Sequence, residues 1–400
     1  MTRRLLLGLM AAHLGLQALA AQGPGKQIVK VGPDMNLPFS SAVKAGGLVY
    51  LSGTLPTDEK GQVIQGDIKA QTTRALDNLA ATLKAAGSSL AQVASVTVYL
   101  KRASDFAQMN EVYATYWPKD PPTRTTVVAT DLLRGALIEV AMVAIPNGGE
   151  RQVIHPSDWI KSPNPYSYGI RTGDTLFMAG LISRNGKDNS VVQGDMATQV
   201  KTVLDNGAAI LKAAGLSLGD VAASRVYITD AAMFQDMNTA YRTYFPNDPP
   251  ARATVRTGLT GPQYLVEITM VAVKGSRRAI TTPNADGSAG RRNPNLSSAI
   301  QVGNRLYVSG MLGNTDTTKG DAKAQTREAL TRIGRTLTSA GFDWPQVVEG
   351  VVYLPSLDAY AAMNEAYREV IPRDFPARAA VGAGLVAPDG LVEIMLTAVK

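Results

Sequence analysis

The chain has 400 residues, a formal net charge of +7, two histidines and no cysteine. Lack of cysteine excludes a disulfide framework, a thiol nucleophile, a thiolate metal site and a lipid-carrying cysteine. Two histidines leave no basis for a histidine triad or a His-rich metal site, so neither metal nor cofactor is expected. The positive surplus forms no long runs and points to no nucleic-acid partner. A hydrophobic content of 45% with 18% charged residues suits a soluble globular protein.

The N-terminus reads MTRRLLLGLMAAHLGLQALAAQ. Arg3 and Arg4 precede an apolar stretch over 5–16, and Ala18-Leu19-Ala20 offers a cleavage pattern. Residues 1–21 read as a secretory signal peptide, with an uncleaved anchor as the alternative. Cleavage leaves a periplasmic or secreted protein without membrane contact, and freedom from cysteine fits an oxidising compartment. His13 falls in this segment, and His155 reads as a solvated linker residue.

After the leader the same text occurs three times: QGDIKAQTTRALDNLAATLKAAG at 65–87, QGDMATQVKTVLDNGAAILKAAG at 193–215 and KGDAKAQTREALTRIGRTLTSAG at 319–341. A second refrain closes each copy, beginning PPTRTTVV, PPARATVR and FPARAAVG. Asp67, Asp195 and Asp321 are 128 and then 126 residues apart, as are Arg124, Arg252 and Arg378, and Glu139, Glu267 and Glu393. A common offset along each copy means whole-domain triplication rather than a short solenoid repeat. The domains run over 28–146, 152–274 and 282–400. They are joined by PNGGERQ and by KGSRRAITTPNADGSAGRRNPN, both rich in Gly, Asn and charge.

Within each copy a strand such as GLVYLSG leads through a loop to a capped helix. Asp67 starts that helix, Leu76, Leu79 and Leu83 share one face, and Gly87 stops it. A strand (SVTVYL, RVYI, VVYL), a second helix (DFAQMNEVYATYW and its counterparts) and two closing strands follow. The pattern is ββαβαββ, an α+β domain with helices on one face of a mixed sheet. The other sheet face is also apolar, so the three copies are expected to bury it against one another around a pseudo-threefold axis.

Several motifs carry a resemblance. They are [FP]-P-x-R, a Glu 15 residues after that Arg inside L-[IV]-E-[IV], S-G at the end of the first long strand, A-G after the first helix and M-N in the second. Together, and in all three copies, they resemble the reactive intermediate deaminase family (Rid, or YjgF, also called endoribonuclease L-PSP-like). The resemblance implies a chorismate-mutase-like fold, normally a homotrimer with clefts between subunits, and here an intramolecular pseudo-trimer expected to be a monomer.

It also implies roles. Arg124, Arg252 and Arg378 would clamp a substrate carboxylate, for which a planar guanidinium fork is suited. Glu139, Glu267 and Glu393 would activate the water that attacks an imine carbon, and flanking Leu, Ile and Val should raise their pKa. Asn110, Asn238, Asn364, Ser52, Gly53, Gly180, Ser309, Gly310, Phe39 and Tyr166 would line the clefts. The copies depart from the pattern: Ala179 replaces the serine, Phe39 and Leu296 stand where the family favours a Tyr, and Thr126, Thr254 and Ala380 stand where many members carry Cys. The resemblance implies a hydrolytic deaminase of small 2-imino or enamine acids with three non-identical clefts. Which repeats pair is not readable. A non-catalytic small-carboxylate-binding or chaperone-like protein is the alternative, and each Arg and Glu would alternatively form a structural ion pair.

Overall fold

The computed structural model describes residues 25–33 and 35–400; the leader read at 1–21 lies outside them. In repeat 1 the spatial strand order is Gln27–Val29, Ala42–Ala45, Leu48–Thr54, Ile138–Ala144, Val93–Leu100, Thr123–Val128. All neighbours are antiparallel except the last pair, which is parallel because a helix joins its two strands. The expected ββαβαββ order is present, and a further short edge strand precedes it in each repeat. In repeat 3 that strand, Arg277–Ile280, lies within the segment read as a linker. It pairs with Ala299–Val302 and buries Ile280. Four residues flanked by Gly and Pro carry too little hydrophobic pattern to mark a strand, and pairing with its neighbour decides it.

Two helices per repeat cover one face of each sheet: α1 (Ile68–Ala85) and α2 (Phe106–Tyr116), α3 (Met196–Ala213) and α4 (Phe234–Tyr244), α5 (Ala322–Ser339) and α6 (Tyr360–Val370). The carboxylates of Asp67, Asp195 and Asp321 accept from the N–H of Ala70, Thr198 and Ala324, each at 2.9 Å, satisfying a donor that each helix start would leave free. Gly87, Gly215 and Gly341 end α1, α3 and α5 with φ of +73°, +70° and +75°, a conformation that a side chain would strain. Leu76, Leu79 and Leu83 are fully buried between α1 and its sheet. No helix among the described residues is long and apolar enough to cross a membrane.

The opposite faces of the three sheets pack on one another. One core holds Tyr99, Val127, Tyr227, Val255, Tyr353 and Val381, two from each repeat at equivalent positions. The parallel-pair strands also meet end to end. Val128 exchanges backbone bonds with Gly258, the Val255–Arg256 pair with Gly384–Leu385, and Gly382 with Thr130 and Asp131. The three repeats therefore close a ring, 1 to 2 to 3 to 1.

Candidate functional site

Each cleft is built from two neighbouring repeats. Arg378 of repeat 3 meets Phe39, Ser52, Gly53 and Glu139 of repeat 1. Arg124 of repeat 1 meets Tyr166, Gly180 and Glu267 of repeat 2, and Arg252 of repeat 2 meets Ser309, Gly310 and Glu393 of repeat 3. The arginine always comes from the repeat before the one that supplies the glutamate.

In the Arg378 cleft the guanidinium is fully enclosed. Its Nη2 donates to Asn364 Oδ1 at 2.6 Å and its Nη1 contacts Met363 Sδ at 3.6 Å. Tyr367 lies 4.7 Å from its carbon and Phe39, from repeat 1, lies 5.6 Å away. Its backbone N–H donates to Ser52 Oγ at 2.8 Å. The Arg252 cleft repeats this arrangement with Asn238 at 2.5 Å, Met237 at 3.9 Å, Tyr241 at 4.7 Å and Ser309 at 2.8 Å. Leu296 there provides no ring to match Phe39. Arg124 packs on Tyr113 at 4.7 Å, Phe106 at 5.7 Å and Tyr166 at 6.0 Å. With Ala179 in place of a serine, the link to the neighbouring repeat is instead Gly180 N–H to the Arg124 carbonyl, 3.1 Å.

The S-G pair sits on a break in strand register, between Leu51 and Thr54 in repeat 1 and between Val308 and Met311 in repeat 3. The bulge turns the pair out of the ladder. A Cβ on Gly53, Gly180 or Gly310 would overlap Oε1 of Glu139, Glu267 or Glu393 respectively. Glycine is required because the carboxyl group lies directly against the backbone.

Each glutamate is held from the other repeat by the backbone N–H two residues after the arginine. Thr126 N–H donates to Glu267 Oε1 at 3.3 Å, and Ala380 and Thr254 do the same for Glu139 and Glu393. This explains why Thr and Ala are both tolerated there: the main chain makes the contact. Burial pushes all three carboxyls up to about 8, against the opposing pull of that N–H and of the arginine. The Arg–Glu ion pair that would compete with a site does not form in any cleft among the described residues. Instead Glu139 Oε2, Glu393 Oε2, Arg124 Nη1, Arg252 Nε and Arg378 Nε are buried with no partner in the protein.

The candidate residues read from sequence therefore converge on three clefts, Asn110 excepted. Asn110 reaches over to Asn164 of repeat 2 at 3.3 Å rather than to Arg124. Tyr113, Tyr241 and Tyr367, three residues after each Asn, stack on the arginines and were not among the candidates. Their signal was an M-N-x-x-Y string kept in register in all three copies. His155 is exposed and bonds the Trp159 carbonyl through Nε2 at 3.0 Å. No group of three or more His, Cys, Asp or Glu among the described residues is placed to hold a metal ion.

The architecture is a fused pseudo-trimer of chorismate-mutase-like domains with composite clefts. A crystal structure of a chorismatase has the same fold over 77% of this chain and 93% of its own, at 17% identity and a TM-score of 0.52. The family described as endoribonuclease L-PSP matches at residues 30–146, 157–274 and 291–400, and the chain belongs to it, the Rid or RutC family. A RutC family protein of Pyrococcus horikoshii is 47% identical over 108 residues, 27% of this chain and 86% of that protein. Another, of Sulfurisphaera tokodaii, is 43% identical over 115 residues, 29% of this chain and 92% of that protein.

Proposed function

We propose that the chain hydrolyses small 2-imino or enamine acids to 2-oxo acids and ammonia. One observation carries the reading. A buried arginine and a buried glutamate from different repeats share each cleft without bonding to each other, and all three arginines together with Glu139 and Glu393 keep polar atoms without a protein partner. Such groups are costly to leave unpaired, and a carboxylate ligand with a polar reacting centre would satisfy both. The arginine takes the substrate carboxylate as a planar fork. This holds the imine carbon near the glutamate. Water adds to that carbon and one of its protons passes through the glutamate to the nitrogen; the glutamate then carries the remaining hydroxyl proton to the nitrogen as the C–N bond breaks, so ammonia leaves and the new C=O stays in the 2-oxo acid. A carboxyl poised at about 8 exchanges a proton in either direction near neutral pH. The substrate is already reactive, so orientation supplies most of the effect.

The test generates a 2-imino acid in situ with an amino-acid oxidase and follows its loss. Wild-type protein should accelerate the loss, and the combined Arg124→Ala, Arg252→Ala and Arg378→Ala variant should not. Equal rates for the two would sink the reading, and saturable carboxylate binding without turnover would move it to a binding module. We place the protein in the periplasm or outside the cell, as a monomer. Mass spectrometry of the N-terminus of exported protein and sedimentation of the mature chain test those two points.

A further inference from the structure

The residue two places after each arginine gives the same main-chain contact in every cleft but not the same side chain. Two clefts have Thr126 and Thr254 there, and the third has Ala380. Both threonines are buried, each 5% exposed, and neither hydroxyl has a partner in the protein. Buried hydroxyls are normally satisfied, because an unpaired one costs free energy that the fold does not recover.

Strand geometry places these hydroxyls in the clefts. Side chains alternate along a strand, so this residue shares the face of the arginine, about 7 Å further on. The residues on either side point the other way: Thr125 bonds Thr269 Oγ1 of repeat 2 at 2.6 Å, and Val127, Val255 and Val381 enter the core shared by the three sheets. Ala380 packs in the same cluster as Met363 and Tyr367, which flank the Arg378 guanidinium. From the other side, the N–H of the same residue holds the glutamate of the next repeat, Thr126 to Glu267 at 3.3 Å and Thr254 to Glu393. Each hydroxyl is therefore tied by its own backbone beside that carboxyl, on the arginine's face of the strand.

We infer that the Thr126 and Thr254 hydroxyls accept a hydrogen bond from the α-nitrogen of a bound amino or imino acid, and that the Arg378 cleft, with Ala380, lacks this contact. A carboxylate held by the arginine puts the α-carbon over the stretch of strand that carries the hydroxyl, and the nitrogen is the polar group on that carbon. A cationic N–H to a hydroxyl oxygen is a charge-assisted bond, stronger than a neutral one. The Arg124 and Arg252 clefts thus discriminate for a nitrogen that the Arg378 cleft does not read. A homotrimer carries one residue at this position in all its clefts, whereas a fused chain can divide them.

The role of this contact in turnover rests on the imine-hydrolysis reading, but binding does not, so the test uses unreactive ligands: calorimetry with 2-aminobutyrate and butyrate, which differ only in the α-nitrogen. The variant combining Thr126→Val and Thr254→Val keeps the side-chain shape and removes both hydroxyls. It should weaken 2-aminobutyrate about tenfold at two sites and leave butyrate unchanged, as loss of one charge-assisted bond requires. Thr126→Ser with Thr254→Ser should retain the affinity. Urea unfolding separates a ligand contact from a structural one. A hydroxyl kept for a ligand is unpaired in the free protein, so the valine variant should have a midpoint at or above that of the wild type. A lowered midpoint, or valine replacements that weaken both acids alike or neither, would overturn the inference. The expected binding pattern without imine turnover removes the deaminase reading and leaves this one standing. Imine hydrolysis with kcat and KM unchanged in the valine variant, and no discrimination between the two acids, does the reverse.

Discussion

The backbone N–H of Arg378 donates to the hydroxyl of Ser52 at 2.8 Å, across 326 residues of sequence. That hydroxyl passes the bond on to the Ser40 carbonyl at 2.6 Å. Arg252 and Ser309 repeat the contact at 2.8 Å. Two of the three joints in the ring thus use a buried serine to register the arginine strand of one repeat on the next.

Replacing that serine should loosen the joint. Ser52→Ala leaves the Arg378 N–H buried without its acceptor, at a cost of about 1–3 kcal/mol. Urea unfolding of Ser52→Ala and Ser309→Ala should show lowered midpoints with unchanged slopes. A midpoint equal to the wild type would mean that the hydroxyl does not hold the strand.

The S-G glycines should tolerate no side chain. Alanine at Gly53 would press on the Glu139 carboxyl and approach Ala379 Cβ at 3.0 Å. The carboxyl must then move off the Ala380 N–H, and overpacking of this kind costs about 1–3 kcal/mol. Gly53→Ala, Gly180→Ala and Gly310→Ala should each silence one cleft, so activity should fall in steps as they are combined. Full activity in the triple variant would show that the glutamates do not act.

The glutamates should also make stability depend on pH. Their folded-state pKa is raised to about 8 from an ordinary value near 4.5. Between those limits the folded chain holds more protons than the unfolded chain, so stability falls as pH rises and the loss is complete above about 8. Each carboxyl contributes a slope of about 1.4 kcal/mol per pH unit within that window. Urea midpoints from pH 5 to 9 should fall more steeply in wild type than in a Glu139→Gln, Glu267→Gln, Glu393→Gln variant. Parallel curves would contradict the raised values.

Fusion also shows near the pseudo-threefold axis. Arg225 and Glu349 approach to 3.5 Å with side chains 22% and 18% exposed, beside cavities of about 30 and 60 Å³. The equivalent residues of repeat 1 are Thr97 and Ser95. Glu349→Ser should destabilise by about 1–3 kcal/mol because it strands the Arg225 charge, and adding Arg225→Thr should recover most of that. A double variant as unstable as Glu349→Ser alone would mean that the stranded Arg225 charge is not the cause.

Much of the fold was legible because its determinants are local. The Asp caps, the Leu76-Leu79-Leu83 face and the Gly stops follow from helix geometry within one turn or two, and threefold repetition marked which of them recur. The strand Arg277–Ile280 was not legible, since a short polar edge strand is made by its partner rather than by its own pattern. The tyrosines on the arginines were visible as a string but not as a contact, because Tyr113, Tyr241 and Tyr367 meet Arg124, Arg252 and Arg378 only when the helix carrying each tyrosine packs on the strand carrying the arginine.

The sequence by itself determined three domains, their family and the arginines and glutamates that recur in register. Tertiary structure decided that Arg378 shares a cleft with Glu139 and not with Glu393, that a main-chain N–H holds each carboxyl, and that arginine and glutamate stay apart. The reason is physical: those outcomes depend on how three apolar sheet faces close on one another, which sets distances between residues hundreds of positions apart that no local spacing encodes.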